Sequence, residues 1–160
     1  GLTLHQMPPH PFHASLASTE EKARRLPWHG ERPWRRATHL HWDGGLPTVD
    51  LHDLSVRLAV EAALTPLEIA DTPGGWILIT GRGKHTGGRS RLRDAVEAEL
   101  ARRQEAGELR FHPVGPGRFE VIVDEAAARA ARPGLGLLFW LFVALLLLGI
   151  AATLWNALHG

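Results

Sequence analysis

Two groups of residues in this 160-residue chain could transfer protons or bind phosphate. The first is Asp50 and His52, which alternate with the apolar Val49 and Leu51. This alternation predicts a short strand with both polar side chains on one face. A histidine titrates near neutral pH and can move protons, while a carboxylate can fix its tautomer or bind a metal. An Asp-x-His pattern alone is more often a surface pair, so it needs a neighbouring group before it indicates a site.

The second group is the loop GRGKHTGGR, residues 81–89, between a predicted strand and a predicted helix. Glycines let backbone N–H groups approach an anion, and a helix N-terminus favours negative charge. The loop is not a Rossmann fingerprint, which needs a third glycine at Thr86, nor a P-loop, which needs Lys-Ser/Thr at Arg89-Ser90. It predicts a phosphate-binding site formed by Gly81, Arg82, Gly83, Lys84, His85 and Arg89. The alternative is a tight solvated turn with incidental charges.

The composition further limits the possible binding partners and metal sites. The formal net charge is only +1, but residues 81–93 carry five Lys or Arg and no acidic residue, which favours a polyanionic partner. The chain has no cysteine, which excludes disulfides and thiolate zinc sites. Six of the ten histidines lie in residues 1–47, His39 and His41 among them. A metal site there would need a converging geometry that their spacing does not imply.

Residues 48–124 are predicted to form one α/β domain. Apolar patterns indicate a helix after Ser55, a central strand at 76–80, a helix from about Ser90 to Gly107, and strands at 109–112 and 119–123. The resulting order, β-α-β-α-β-β, predicts a two-layer sandwich of two helices on a four-stranded sheet. A right-handed crossover would make the first two strands parallel, which places Asp50 and His52 at the same sheet edge as the glycine loop.

The flanking segments have different characters. Residues 1–47 are rich in His, Pro and Trp and predict an irregular arm, with one short helix beginning at Ser18. Residues 125–133 are predicted to be a juxtamembrane linker and residues 134–156 a single transmembrane helix. Residues 135–154 hold no charged side chain, and ~20 helical residues span the ~30 Å hydrocarbon core of a bilayer. The alternative, a buried core helix, would need a larger domain around it.

The orientation of this helix follows from its flanks. Arg129 and Arg132 precede it, and only His159 follows it. By the positive-inside rule, the domain should face the cytoplasm. The expected location is therefore a membrane, with one crossing and with the α/β domain on the cytoplasmic side.

The two motifs together resemble a known family, the Smr (small MutS-related) domain. The similarity covers about residues 48–123 and is carried by TVDLHDLSV at 48–56, ITGRGKHTGG at 79–88, and Leu92-Arg93. The Asp-Leu-His-Gly motif of the family falls on residues 50–53, with Asp53 in place of the glycine. The resemblance implies a sandwich similar to the C-terminal domain of translation initiation factor 3. It also implies binding to nucleic acid or ribosomes and, as in several members, endonuclease activity.

These observations lead to the expectation of a membrane-anchored Smr-type nucleic-acid-binding protein that cleaves RNA or nicks DNA. His52, oriented by Asp50, would act as general acid or base. On RNA the 2′-OH could attack without a metal, whereas on DNA a divalent ion held by Asp50 or Asp53 could activate water, so the cofactor is left open.

Two alternatives to this expectation stay open. One is a non-catalytic adaptor that binds nucleic acid or ribosomes at the membrane, because the extra negative charge of Asp53 repels phosphate. The other is a module that binds only proteins.

Overall fold

The computed structural model describes residues 8–27, 32–69, 73–81 and 90–123. Four α-helices, one short 3-10 helix (Thr65–Leu67) and five strands occur in these ranges. The helices are α1 (Ala17–Arg25), α2 (Arg36–His39), α3 (Val56–Leu64) and α4 (Arg91–Glu105). The strands are β1 (Leu40–Asp43), β2 (Leu46–Asp50), β3 (Gly75–Ile79), β4 (Arg110–Gly115) and β5 (Arg118–Ile122).

The described strands form one sheet in the order β1-β2-β3-β5-β4. β2 and β3 are parallel, with Val49 opposite Leu78, while the other neighbouring pairs are antiparallel. The succession β2-α3-β3-α4-β4-β5 confirms the predicted order of elements. The parallel pairing places the ends of β2 and β3 at the same edge of the sheet.

The sheet has five strands where four were expected, because residues 40–43 add β1 at one edge. The expectation of an irregular segment is therefore wrong for residues 36–43. β1 and β2 form a hairpin whose turn, Gly44-Gly45, has positive φ at both residues. Glycine adopts this conformation without strain, and such two-residue turns are typical of hairpins. A four-residue strand is too short to show a convincing alternation in the sequence.

The core lies between one face of the sheet and the helices. The register places Val49 and Leu78 on this face, together with Trp76 and its partner Val121. Buried residues of the helices, including Leu58 and Leu100, belong to the same apolar cluster, as do three from the segment before residue 40: Phe12, Leu16 and Trp34. The Phe12 ring meets Trp76 edge to face, with centroids 5.9 Å apart. The N-terminal segment is thus packed into the domain.

Serine caps fix the starts of both central helices. The Ser55 side chain accepts a hydrogen bond from the Leu58 N–H, and that of Ser90 accepts one from the Arg93 N–H. Such caps satisfy backbone donors that have no partner inside the helix. Since α3 begins immediately after the turn at residues 52–54, its cap also fixes the end of that turn. At α1, by contrast, Ser18 lies inside the helix and no side chain caps its start.

Several predicted segments lie outside the described residues: the linker at 125–133, the transmembrane helix at 134–156, and most of the basic loop, residues 82–89. Among the residues that the structure does describe, no helix has the length and apolar character needed to cross a bilayer.

Candidate functional site

Asp50 and His52 are in direct contact at the end of β2. Asp50 is the last residue of the strand, and its Oδ1 accepts hydrogen bonds from the backbone N–H of His52 at 3.1 Å and from His52 Nδ1 at 2.5 Å. His52 belongs to the turn after the strand, so the expectation that both residues lie on one strand is wrong. The contact comes from a turn in which the aspartate side chain binds the backbone two residues later.

The parallel pairing of β2 and β3 brings Gly81 to this turn. Asp50 lies opposite Ile79, whose carbonyl accepts a hydrogen bond from the Leu51 N–H at 2.7 Å. Gly81 has φ +82°, and a Cβ at this position would lie 3.1 Å from the Cβ of His52. The position therefore favours glycine both for its backbone conformation and for the closeness of the histidine. Asp50, His52 and Gly81, all proposed from the sequence, lie together.

The other loop residues proposed from the sequence lie outside the described residues: Arg82, Gly83, Lys84, His85 and Arg89. The two ends of the loop are described. It leaves β3 at Gly81, beside His52, and reaches α4 at Ser90, the residue that caps the helix.

A third turn completes this edge of the sheet. Gly117, between β4 and β5, accepts hydrogen bonds at its carbonyl from the Thr80 N–H at 2.8 Å and from Thr80 Oγ1 at 3.2 Å. A Cβ at Gly117 would overlap the backbone of Gly81. The sequence signal for this turn is the segment PVGPGR, whose prolines and glycines separate the predicted strands at 109–112 and 119–123.

Asp53 contacts the second ring nitrogen of His52. Its Oδ2 lies 3.2 Å from His52 Nε2 and 2.8 Å from Nε2 of His39. The side chains of Asp53 and His39 are both fully buried, at 0 % exposure. The Nε of the more exposed Arg32 lies 3.4 Å from the same carboxylate oxygen. One carboxylate oxygen of Asp53 therefore contacts three side chains, those of His39, His52 and Arg32.

Residues 32–39 form the back of this site. The backbone N–H of Arg35 donates to His39 Nδ1 at 3.1 Å, and the Trp34 ring lies 5.5 Å from the His39 ring. Trp34 Nε1 donates to the Asp50 carbonyl at 2.7 Å. The sequence suggests for His39 only a metal site shared with His41, which their spacing does not imply. The pairing with Asp53, fourteen residues away, has no periodic signal that could have revealed it.

The two carboxylates favour the protonated form of His52. The hydrogen bond to Asp50 raises the pKa of His52 above its ordinary value, and the negative charges of Asp50 and Asp53 act in the same direction. Partial burial and the positive charge of Arg32 oppose this rise without cancelling it. The His52 side chain is 31 % exposed. His52 is thus held by Asp50, is partly exposed to solvent, and is protonated more readily than a free histidine.

For metal binding, the described part of the chain offers no group of three or more His, Asp or Glu side chains that could hold a metal ion. Asp50 and Asp53, the two carboxylates proposed as ligands from the sequence, both contact histidines. In this arrangement they orient His52.

The fold and site define a mixed α/β domain with a five-stranded sheet and an Asp–His pair where two parallel strands end. No protein-family model and no curated protein matches the chain. Two solved structures are similar to it. The SMR domain of NEDD4-binding protein 2 is 29 % identical over 53 % of this chain and 93 % of its own, with a TM-score of 0.40. The B3BP Smr domain is 27 % identical over 48 % of this chain and 77 % of its own, with a TM-score of 0.33.

Proposed function

We propose that this chain carries an Smr-type nucleic-acid-binding domain whose binding surface is the edge where β2 and β3 end. One observation carries the proposal: the Asp50–His52 pair, joined at 2.5 Å, lies directly against Gly81, where the basic loop leaves the sheet. The family motifs and the local geometry thus point to the same edge.

The chemistry of this edge suits a phosphate backbone. The loop offers Arg82, Lys84, His85 and Arg89 to the phosphates, and His52 adds a positive charge when it is protonated. Neutralising phosphates releases counterions, so the affinity should fall steeply with salt. RNA, DNA and ribosomal RNA share this backbone.

Cleavage is the leading form of the proposal. In its protonated form His52 donates a proton to the leaving oxygen of the phosphodiester, and Asp50 holds the ring for that transfer. On RNA the 2′-OH can attack the phosphorus, lose its proton to water and form a 2′,3′-cyclic phosphate, whereas on DNA water must attack and a divalent ion would help.

The test of cleavage uses the full chain in detergent, incubated with structured RNA and with supercoiled DNA, with and without Mg²⁺ or Mn²⁺. We expect His52→Ala to lose activity by about 10²-fold or more, as is usual for a lost proton donor. His112→Ala is the matched control, because His112 also pairs with a carboxylate, Glu120 at 3.3 Å, but on β4. Equal rates for the wild type and His52→Ala would rule out the catalytic role.

A second candidate is binding without cleavage, as a nucleic-acid or ribosome adaptor. The contact of Asp53 with His52 Nε2 favours it, because both ring nitrogens then face carboxylates. It predicts binding that weakens with salt and no cleavage under any metal condition. Each of Arg82→Ala and Lys84→Ala should lower the slope of log affinity against log salt by about 1. Arg25→Ala, an exposed arginine on α1, should leave the slope unchanged.

Membrane anchoring is proposed for residues 134–156, with the domain on the cytoplasmic side. Support comes from their uncharged, apolar sequence and from the arginines that precede them. The full chain should stay with the membrane pellet after alkaline carbonate extraction, and a chain ending at residue 133 should be released. Retention of the shortened chain would contradict an anchor in this segment.

A further inference from the structure

We propose that Asp53 and His39 are positioning residues, which hold His52 through its second ring nitrogen so that it meets nucleic acid as a fixed cation. This inference rests on the proposed function and adds two residues to its site. Neither Asp53, which replaces the motif glycine, nor His39, which precedes the motif, has a counterpart in the Asp-Leu-His-Gly pattern.

The first step concerns the protons of His52. An ionised carboxylate only accepts hydrogen bonds, so a ring nitrogen that faces one is stabilised when it carries a proton. Nδ1 faces Asp50 at 2.5 Å and Nε2 faces Asp53 at 3.2 Å. An imidazole protonated on both nitrogens is the imidazolium cation. With Asp50 alone, no carboxylate would stabilise a proton on Nε2.

The second step concerns Asp53 itself. A buried carboxylate is costly unless cations or hydrogen-bond donors surround it. His39 Nε2 supplies a donor at 2.8 Å, and Arg32 adds a positive charge at 3.4 Å. Because the ionised Asp53 carboxylate can only accept, the short contact with His39 Nε2 is a hydrogen bond donated by that nitrogen. His39 thus stabilises the ionised form of Asp53, and Asp53 in turn stabilises the protonated form of His52.

The third step concerns the incoming phosphate. The contact between Asp53 and Nε2, at 3.2 Å, is longer than the 2.5 Å contact between Asp50 and Nδ1. A phosphate oxygen can therefore replace Asp53 at Nε2 while Asp50 keeps the ring oriented. Asp53 keeps His52 charged before binding and competes with the phosphate during binding.

The direct test follows the His52 ring by NMR in the full chain, in detergent micelles, across a pH titration. We expect Asp53→Asn to lower the titration midpoint of His52, because one of the two carboxylates is lost. Asp53→Gly, which restores the motif residue, should also lower the titration midpoint of His52. It replaces Asp53→Asn in the experiment if Asp53→Asn does not fold. His112→Gln should leave it unchanged. An unchanged midpoint in the Asp53 variants, or an equal shift in His112→Gln, would overturn the proposal.

The role of His39 is tested by a double-mutant cycle. His39→Leu should destabilise the wild type strongly, because it removes the nearest hydrogen-bond donor of a buried carboxylate, and should cost much less in Asp53→Gly. Additive effects of the two substitutions would show that His39 does not act through Asp53.

Binding supplies a separate readout with a 5′-labelled single-stranded RNA. The affinity of the wild type should fall as the pH rises through the His52 midpoint, and that of Asp53→Asn should fall at lower pH. At acidic pH, Asp53→Asn should bind more tightly, because a negative charge is gone. If the wild type binds no nucleic acid, the proposed function fails, while the NMR midpoint still decides whether Asp53 positions His52.

Discussion

Gly117 lies so close to Gly81 that a side chain at position 117 would overlap the carbonyl group of Gly81. Gly81 in turn lies against His52, and the Thr80 N–H donates to the Gly117 carbonyl at 2.8 Å. The turn between β4 and β5 therefore supports the residue on which the histidine rests. A substitution in that turn should therefore displace the backbone of Gly81 and, with it, His52.

Gly117→Ala should destabilise the fold more than Gly107→Ala does. Both glycines have positive φ, at 66° and 75°, which costs an L-residue about 1–2 kcal/mol. A Cβ at Gly107 meets no atom within 4 Å, whereas one at Gly117 meets backbone, and such overpacking adds about 1–3 kcal/mol. Urea unfolding of the full chain measures both costs. Equal losses for the two variants would contradict the close approach at Gly81.

The stability contributed by His52 should depend on pH. Its pKa is raised in the folded state, mainly by the hydrogen bond to Asp50, so folding strengthens proton binding. The contribution is fully present below the unfolded pKa of about 6.5 and is lost as the pH rises through the folded pKa. The unfolding free energy of the wild type minus that of His52→Gln should therefore shrink with rising pH above about 6.5. A difference that stays constant or grows with pH would contradict this.

Trp34→Phe should destabilise the domain through the lost hydrogen bond to Asp50. Trp34 is 4 % exposed, and its Nε1 donates to the Asp50 carbonyl at 2.7 Å. Losing a part-buried hydrogen bond costs about 1 kcal/mol. Trp42→Phe, at a partly exposed tryptophan beside the His10 ring, is the control and should cost less. Denaturant unfolding checks both, and an equal cost would show that the indole N–H matters little.

Phe12→Ala should cost about 3–5 kcal/mol, as for other buried aromatic residues, although it lies 36 positions before the predicted domain start at residue 48. Phe12 is fully buried and packs on Trp76. Leu26→Ala, at a leucine that is 40 % exposed, should cost less than about 1 kcal/mol. Denaturant unfolding of the two variants measures both losses of stability. A small cost at Phe12 would place the N-terminal segment outside the cooperative unit.

The repeating parts of the domain could be predicted because local patterns specify them. Val56, Ala59, Val60 and Ala63 follow the helical period behind a capping serine, and α3 begins and is capped as expected. The run at residues 76–80 is apolar on both faces, as suits a strand with neighbours on either side, and β3 occupies Gly75–Ile79. The parallel pairing of β2 and β3 followed from the handedness of the crossover.

The other features of the fold and site depend on contacts that the hydrophobic periodicity of the sequence does not indicate. β1 is four residues long, and its pairing is specified by a Gly-Gly turn inside a segment rich in Pro and His. The contact of Asp50 with His52 was expected, but it arises from a turn and not from a shared strand face. The partners of Asp53 come from residues 32 and 39, which only the folded N-terminal segment brings to the site.

The buried pair of His39 and Asp53 also limits how related sequences can diverge. Without His39, the buried Asp53 would lose its nearest hydrogen-bond donor, and without Asp53, His39 would lose its acceptor, whereas glycine at position 53 removes the carboxylate altogether. Across homologous chains, we therefore expect histidine at position 39 and aspartate at position 53 to be inherited together. Lineages that keep the motif glycine should be free to place an apolar residue at position 39.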